Sequence, residues 1–262
     1  MKKLVYIVLC AAAALALSSC QTETTAGKTW ITYYPDIQLK EGETIFWAKG
    51  EAWVEPGFEA TIDGEDVGSQ VVIKGAPDVN TVGSYEISYS LTNADGFSSG
   101  AVRTVYVYDA ACTLDISGEY TVDANASIGS DGKTSYAGYA ASRKEKQPDY
   151  APYVTTDITV TIEQMAPGIY WCNDLMAGWY TYIQGRGGYY VASYGSEAYQ
   201  TYFDMEGIIF CDNAGKITLD SSYIGAWGDG LDYIENAKYD KGTISYDWSY
   251  AGQVFGSPVM KK

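Results

Sequence analysis

The sequence contains no histidine at any of its 262 positions. This absence excludes Ser-His-Asp and Cys-His nucleophilic catalysis. It also leaves the protein without the commonest transition-metal ligand. The sequence also has no P-loop, no dinucleotide fingerprint and no zinc motif. We therefore predict that the protein is not an enzyme and that it carries no cofactor and no metal. A loop Ca²⁺ site at residues 229–232 (Asp-Gly-Leu-Asp) is the alternative for the metal.

Glycoside hydrolysis is the enzymatic chemistry that the missing histidine leaves open, because it needs only two carboxylates. The C-terminal half offers several acids for such a pair: Asp174, Glu197, Asp204, Glu206, Asp229 and Asp232. The chain has 33 acidic residues, so some pair is inevitable and its presence does not favour an enzyme.

Basic residues are scarce, since 17 Lys and Arg stand against 33 Asp and Glu, for a formal net charge of −16. A chain with this charge repels nucleic-acid phosphates and anionic lipid headgroups. We therefore expect no nucleic-acid partner.

Only three cysteines follow residue 20, at Cys112, Cys172 and Cys211. At most one disulfide can form among them, and none has the spacing of a metal or redox motif. We predict buried free thiols. A bridge between Cys172 and Cys211 is the alternative.

Long apolar runs are confined to residues 4–17, which are too few to span a bilayer comfortably. Lys2 and Lys3 precede this run, and Ser18, Ser19 and Cys20 follow it, which is the order of a signal peptide. The segment resembles the bacterial lipobox, and the resemblance implies that Cys20 becomes the acylated first residue of the mature chain. An ordinary secretory signal is the alternative.

We accordingly predict a lipoprotein signal peptide at 1–19 and a polar tether at 20–29. The partner of the acylated Cys20 is then the lipid bilayer. We expect the outer membrane and favour its cell-surface side, and the sequence leaves the periplasmic side open.

After the tether, the sequence predicts an all-β protein. Short segments rich in Val, Ile, Thr and Tyr alternate with turn signals such as Asp63-Gly64 and Asp95-Gly96. No segment predicts an amphipathic helix of ordinary length. The stretch 127–152 is predicted to be a long exposed loop.

The first β unit is predicted at 30–110, with strands at 71–74, 84–92 and 101–108. Residues 85–91 alternate apolar and polar side chains, as in a strand with one face on a core. Residues 53–58, 79–85 and 92–96 resemble motifs of the immunoglobulin (Ig)-like domains repeated in bacterial surface proteins. The resemblance implies an Ig-like β-sandwich with a spacing or adhesive role.

The second unit is predicted at 114–262 and contains 18 of the 25 tyrosines and four of the seven tryptophans. Its predicted strands are 118–123, 157–164, 168–173, 188–194, 207–211, 216–219 and 243–250. Antiparallel strands with glycine-rich turns predict a barrel or a sandwich, and we favour a lipocalin-like cup.

Three segments of this unit carry a second resemblance: 116–120 (Ile-Ser-Gly-Glu-Tyr), 168–180 and 227–229 (Trp-Gly-Asp). They resemble the C-terminal domain of two-domain lipoproteins from Bacteroidetes that accompany outer-membrane nutrient importers of the starch-utilisation type. The resemblance implies a role in ligand capture at the cell surface.

The aromatic excess supplies the candidate binding residues, because Tyr and Trp join an apolar ring to a polar tip that needs a partner. The candidates are Trp171, Trp179, Tyr180, Tyr182, Tyr189, Tyr190 and Trp227. Sugar rings or apolar peptide side chains would stack on them. The alternative is that the rings are cross-strand pairs that stabilise a sheet. Strand parity would place Tyr180 and Tyr182 on one face and Trp179 on the other.

Two functions remain after these exclusions. The first is capture of a nutrient, with a glycan favoured over a peptide, for an outer-membrane importer complex. The second is a structural or adhesive accessory lipoprotein that binds a protein partner and no small ligand.

Overall fold

The computed structural model describes residues 31–252 and 254–262. The predicted signal peptide, the lipid attachment at Cys20 and the tether lie outside these residues. Within them, no helix has both the length and the apolar character needed to cross a bilayer.

The N-terminal unit is a sandwich of two small sheets with seven strands. The strands are β1 (Asp36–Leu39), β2 (Thr44–Ala48), β3 (Phe58–Ile62), β4 (Glu65–Asp66), β5 (Val72–Lys74), β6 (Gly83–Thr92) and β7 (Ser98–Tyr108). One sheet has the order β1-β3-β4, and the other has the order β2-β7-β6-β5, with β2 parallel to β7. The three strands that the sequence predicts in this unit are therefore present.

Period-two alternation builds the sandwich core, as the pattern in β6 predicts. Ile87, Tyr89 and Leu91 of β6 are buried, and Val105 and Val107 of β7 lie beside them on the inner face. The N-terminal part of the fold is therefore the Ig-like sandwich that the sequence predicts.

The C-terminal unit is one nine-stranded antiparallel sheet. Its strands are β8 (Gly118–Val122), β9 (Thr159–Ala166), β10 (Ile169–Cys172), β11 (Met205–Cys211), β12 (Ile217–Ile224), β13 (Tyr233–Asp240), β14 (Thr243–Tyr250), β15 (Val254–Gly256) and β16 (Val259–Lys261). The order is β12-β11-β10-β9-β8-β16-β14-β13, with β15 on β14.

The two edges of this sheet come together, because Lys216 bridges to Lys238 and the Tyr239 N–H donates to the Gly215 carbonyl at 2.7 Å. The sheet is thus barrel-like and nearly closed, and the all-β prediction is confirmed. Buried side chains such as Tyr120, Tyr170 and Trp248 fill its interior.

Two helices lie against the barrel, α1 (Tyr136–Lys146) and α2 (Arg186–Tyr194). The prediction that the chain has no ordinary helix is therefore wrong. Helix α1 lies within the predicted loop 127–152, and its first turn is capped by Ser135, whose hydroxyl accepts the Gly138 N–H. Helix α2 replaces the predicted strand 188–194.

Helix α2 forms because glycines allow both its ends and its close packing. Gly195 has φ +71° at the C-terminus, a left-handed conformation that glycine adopts without steric cost. A Cβ on Gly187 would lie 2.4 Å from the Gln200 carbonyl oxygen, so only glycine lets the helix approach the turn at Glu197–Tyr199.

The two units contact each other through an apolar cluster. Tyr106 of the sandwich packs with Ala166 and Ile169 of the barrel. The connecting residues are held by Asn213, whose Oδ1 accepts the Thr113 N–H at 2.8 Å. The sandwich therefore packs directly against the barrel-like domain.

All three cysteines of the described chain are free thiols, as predicted, and the alternative Cys172–Cys211 bridge is absent. Cys172 and Cys211 are buried as predicted, whereas Cys112 is only partly buried. Burial raises the pKa of the Cys211 thiol to about 12. A thiol with so high a pKa is a poor nucleophile, and Cys211 therefore behaves as an apolar core residue.

Candidate functional site

Trp179 is a core residue and not a ligand platform. It is 2% exposed, and its ring lies 4.8 Å from Tyr139 and 5.3 Å from Tyr136. Trp179, Tyr180 and Tyr182 do not alternate between the two faces of a strand as predicted, because residues Trp179–Ile183 form a π-helical turn. The structure therefore removes Trp179 from the candidate binding set.

Three of the four tyrosines of the candidate set pack against other rings. Tyr180 is 8% exposed and lies edge-on to Trp227, with ring centroids 4.9 Å apart. Tyr189 stacks on Tyr150 at 4.1 Å, and Tyr190 packs on Phe203 at 4.9 Å. Tyr182 is half-buried near Asp204. These rings therefore contribute more to packing than to an exposed surface.

Trp227 is the one member of the candidate set that belongs to a row of contacting rings, which we call the aromatic surface. The surface consists of Tyr194, Tyr199, Tyr202 and Trp227. Its neighbours touch in sequence, with centroids 5.5 Å apart for Tyr194 and Tyr199 and again for Tyr199 and Tyr202. Phe203 connects Tyr202 to Trp227, at 5.5 Å and 5.7 Å.

This row is open to solvent in three places: Tyr194 is 65% exposed, Trp227 44% and Tyr202 40%. An exposed patch of large rings on a soluble domain is typical of a recognition surface. Of the four rings, the sequence predicted only Trp227 as a binding residue. Tyr194 belongs to α2, and Tyr199 and Tyr202 lie in the turns that follow this helix. Trp227 lies just after the end of β12.

A partly buried arginine, Arg186, holds the aromatic surface in place. The Arg186 guanidinium lies 5.3 Å from the Tyr180 ring centroid, 5.6 Å from that of Trp227 and 5.8 Å from that of Phe203. Its Nε donates to Gln184 Oε1 at 3.0 Å, which fixes its direction. A cation shared among rings orients them by cation–π attraction.

The turn that presents Trp227 is tied down at both ends. The Ala226 N–H donates to the Tyr202 carbonyl at 3.0 Å, and the Ile224 N–H donates to the Asp229 carbonyl at 2.8 Å. The Tyr250 hydroxyl donates to the Asp229 carboxylate at 2.7 Å. Trp227 therefore lies on a hydrogen-bonded turn that connects two strands of the barrel, β12 and β13.

A pocket of about 280 Å³ opens beside the aromatic surface, and we call it the acidic pocket. It is lined by Trp171, Asn173, Thr201, Tyr202, Asp204, Glu206, Tyr223 and Gly225. Alternation in β10, β11 and β12 places Trp171, Glu206 and Tyr223 on the outer face of the barrel, with Glu206 paired to Tyr223.

Tyr202 belongs to both the acidic pocket and the aromatic surface. Its ring fits because residue 225 is glycine: a Cβ there would lie 3.2 Å from Tyr202 Cδ2. Trp171 and Trp227 therefore lie in one continuous region that Tyr202 connects.

Two buried carboxylates lie at the inner end of the acidic pocket. Asp174 accepts backbone N–H groups from Met176 at 2.9 Å, Gly178 at 2.6 Å and Met205 at 3.1 Å. Asp204 accepts the Thr181 hydroxyl. Burial raises the pKa of Asp204, and the nearby charge of Asp174 raises it further. Asp174 has three N–H donors, so it is the member of the pair that keeps its charge.

The raised pKa of Asp204 predicts how stability depends on pH. The folded chain keeps a proton that the unfolded chain has released, so the stability of the C-terminal domain should fall as pH rises above about 4. Asp204→Asn removes the charge, and its melting temperature should exceed wild type near pH 8 but match it near pH 4. Thermal melts at both pH values check this, with exposed Asp157→Asn as the control. Equal changes in melting temperature for the two variants would contradict this prediction.

The proposed Ca²⁺ loop has other partners in the structure. Asp232 accepts the Ser249 hydroxyl at 3.0 Å and the Gly252 N–H at 2.8 Å, and Asp229 accepts the Tyr250 hydroxyl. Within residues 31–252 and 254–262, no group of three Cys, Asp or Glu residues is arranged to hold a metal. These two aspartates serve as hydrogen-bond acceptors for the turns.

An Ig-like sandwich joined to a barrel-like domain with exposed rings is consistent with a bacterial surface protein. Comparison with known proteins identifies the family to which the chain belongs. Residues 37–107 match the model for a bacterial surface protein Ig-like domain. Residues 109–261 match the model for a BT2262-like C-terminal domain. The chain therefore belongs to the Bacteroides surface lipoprotein family that combines these two domains.

One solved structure is similar to the chain along most of its length. The crystal structure of the lipoprotein BT2262 from Bacteroides thetaiotaomicron is 30% identical, covering 87% of this chain and 100% of that chain, with a TM-score of 0.41. No curated protein matches the chain. The chain is thus similar along most of its length to a Bacteroides lipoprotein, and the predicted anchor at Cys20 precedes the described residues.

Two further solved structures are more distant. One contains the M60 catalytic domain with the CBM51-1 and CBM51-2 domains of Clostridium perfringens ZmpB, at 17% identity and a TM-score of 0.26; the match covers 54% of this chain and 14% of that chain. The other contains CBM51-2 in complex with GlcNAc and INT domains of the same protein, at 17% identity and a TM-score of 0.25, covering 53% and 28%. Neither similarity is strong enough to inform the fold or the ligand.

Proposed function

We propose that this surface lipoprotein captures a glycan on its aromatic surface and delivers it to an importer in the outer membrane. The observation that carries the proposal is the row of contacting rings from Tyr194 to Trp227, in which Tyr194, Tyr202 and Trp227 are exposed and the buried Phe203 connects the last two. Flat rings in a fixed orientation stack on the apolar faces of sugars, and adjacent carboxylates and amides accept hydrogen bonds from sugar hydroxyls. We also propose that the protein acts by binding alone, without enzymatic activity.

The arrangement of the domains supports this role. The sandwich packs directly on the barrel through Tyr106, so it would hold the aromatic surface at a distance from a membrane anchored at Cys20. A protein tethered beside an importer raises the local concentration of its ligand there. The outer membrane, its cell-surface side and the importer are parts of this proposal.

The first test is a calorimetric titration of residues 21–262 with neutral oligosaccharides of several linkages. We expect one linkage class to bind, and Trp227→Ala and Tyr202→Ala each to weaken that binding about tenfold, because each removes a stacking surface. The matched control is Tyr233→Ala, which changes a 42% exposed ring outside the aromatic surface. Unchanged affinity in both site variants would contradict the proposal.

A protein-binding accessory role is the second candidate, and one observation favours it. Strand β5 is an edge strand of the sandwich, and it exposes Val72 (52%) and Ile73 (45%). An edge with free backbone groups and apolar side chains can accept a strand from another protein. Val72→Lys should then abolish capture of that partner in a pull-down and leave oligosaccharide titrations unchanged.

A further inference from the structure

Two arginines, Arg143 in α1 and Arg186 at the start of α2, have no acidic partner among the described residues. The ion pairs of this part of the chain involve neither of them. Asp229, on the same turn as Trp227, accepts the Tyr250 hydroxyl instead. Each guanidinium donates one hydrogen bond through its Nε, and no described residue accepts from its remaining N–H groups. In a chain with 33 acidic and 17 basic residues, these N–H groups are available to an anionic ligand.

Gln184 holds Arg143 and Arg186 close together, and we call these two residues the arginine pair. Arg143 Nε donates to the backbone carbonyl of Gln184 at 3.0 Å, and Arg186 Nε donates to Oε1 of the same residue at 3.0 Å. Burial lowers the pKa of Arg143, and the positive charge of Arg186 lowers it further, so the two charges lie close enough to repel each other. An anion bound beside them would offset this repulsion and would be attracted by both charges.

The arginine pair adjoins the aromatic surface. The Arg186 guanidinium lies 5.6 Å from the ring centroid of Trp227, which is 44% exposed. The Arg143 guanidinium lies 4.2 Å from the ring centroid of Tyr150, and Tyr150 stacks on Tyr189. Both arginines are partly exposed. A sugar stacked on Trp227 would therefore lie next to the Arg186 guanidinium.

The charge around the aromatic surface is uneven, and this gives a bound glycan a direction. Tyr202 belongs both to the aromatic surface and to the acidic pocket, which Glu206 also lines. An anionic group near Glu206 would be repelled, whereas the same group at the arginine pair would be attracted. Sugar hydroxyls, which donate hydrogen bonds, suit the side of the acidic pocket. A charged group of the ligand therefore belongs at the arginine pair.

We propose that the captured glycan is acidic, and that the arginine pair binds the carboxylate of a uronic acid in it while the glycan stacks on Trp227. This inference rests on the proposed glycan-binding function and names its ligand class. The planar fork of a guanidinium matches a carboxylate, and hydrogen bonds between the two charged groups are stronger than those between neutral groups. A neutral oligosaccharide binds through stacking alone, and the carboxylate adds to that affinity.

The test uses calorimetric titrations of residues 21–262 with tetramers of galacturonic acid, of mannuronic acid and of hyaluronan. The methyl-esterified counterpart of each tetramer and the peptide triglutamate are the comparison probes. At least one uronate tetramer should bind about tenfold more tightly than its methyl ester, which has the same rings and linkages without the charge. The titrations use about 0.15 M salt, at which charges of the acidic chain beyond about 8 Å are screened.

Substitution of the arginine pair tests the site. Arg143→Gln should reduce affinity for the uronate tetramer about tenfold and leave the weaker binding of its methyl ester unchanged. The matched control is Lys144→Gln, which removes the same charge from the next, exposed position of α1 and should change affinity less than about twofold. The comparison of acid and ester on the wild-type chain needs no variant, so it decides the ligand class even if Arg143→Gln is unstable.

Each other outcome overturns the inference in a distinguishable way. If the methyl esters or neutral oligosaccharides bind as tightly as the uronates, the arginine pair does not select a carboxylate, but the proposed glycan binding stands. Equal effects of Arg143→Gln and Lys144→Gln would show that the acidic glycan binds elsewhere. If triglutamate alone binds, the ligand is an acidic peptide. If no probe and no wider oligosaccharide panel binds, both this inference and the proposed function fail.

Discussion

Arg103→Met should lower the free energy of unfolding of the Ig-like sandwich by about 3–5 kcal/mol, because it leaves a partly buried carboxylate and several carbonyls without their donor. Arg103 is fully buried, and its guanidinium pairs with Glu55. It also donates to three backbone carbonyls, those of Lys40 at 2.6 Å, Gly57 at 3.1 Å and Gly42 at 3.3 Å. One side chain thus ties three loop positions to β7.

Urea unfolding, followed by the fluorescence of Trp47 and Trp53 in this sandwich, measures the effect. The matched control is Lys40→Met, which removes an exposed ion pair to Glu59 and should cost less than about 1 kcal/mol. Equal losses in the two variants would show that the Arg103 network does not stabilise the domain as described.

Trp179→Ala should destabilise the C-terminal domain by about 3–5 kcal/mol, the usual cost of removing a large buried ring. The indole fills the space between Tyr136, Tyr139 and Trp248, and the absence of a side chain at Gly129 leaves it room. Truncation to alanine would leave a cavity that the rigid barrel cannot close.

Thermal melting, together with near-UV circular dichroism, measures this loss. Trp227→Ala is the matched control, because it removes the same side chain from a 44% exposed position and should cost well under half as much. A small effect of Trp179→Ala, or an equal effect of the two, would contradict the assignment of Trp179 to the core.

Period-two patterns in the sequence predicted the strands well where one face meets a core. β6, β7, β9, β10 and β14 all fall at or near their predicted positions. Helix α2 was missed because residues 186–194 contain two glycines and three tyrosines, which favour strands and turns over helices. Its packing on the Glu197–Tyr199 turn overrides that local preference.

The candidate site was predictable only in part. Trp227 stood out as an aromatic residue in the segment 227–229 that carries the second resemblance. Tyr199 and Tyr202 lie in the segment between β10 and β11, which folds as helices and turns, so no strand pattern marked them. Asp204 and Glu206 were recognised only as two acids among many, because burial and the aromatic walls that distinguish them appear only in three dimensions.

The indole N–H signals of the seven tryptophans give the most direct test of the central claim, that the aromatic surface and the pocket beside it bind a sugar. Nuclear magnetic resonance titration with the oligosaccharide that binds most tightly in the calorimetric titration should shift the signals of Trp171 and Trp227. The signals of buried Trp179 and Trp248 should stay in place. Shifts confined to Trp47 or Trp53 of the sandwich, or no shift with this or any other oligosaccharide, would contradict the claim.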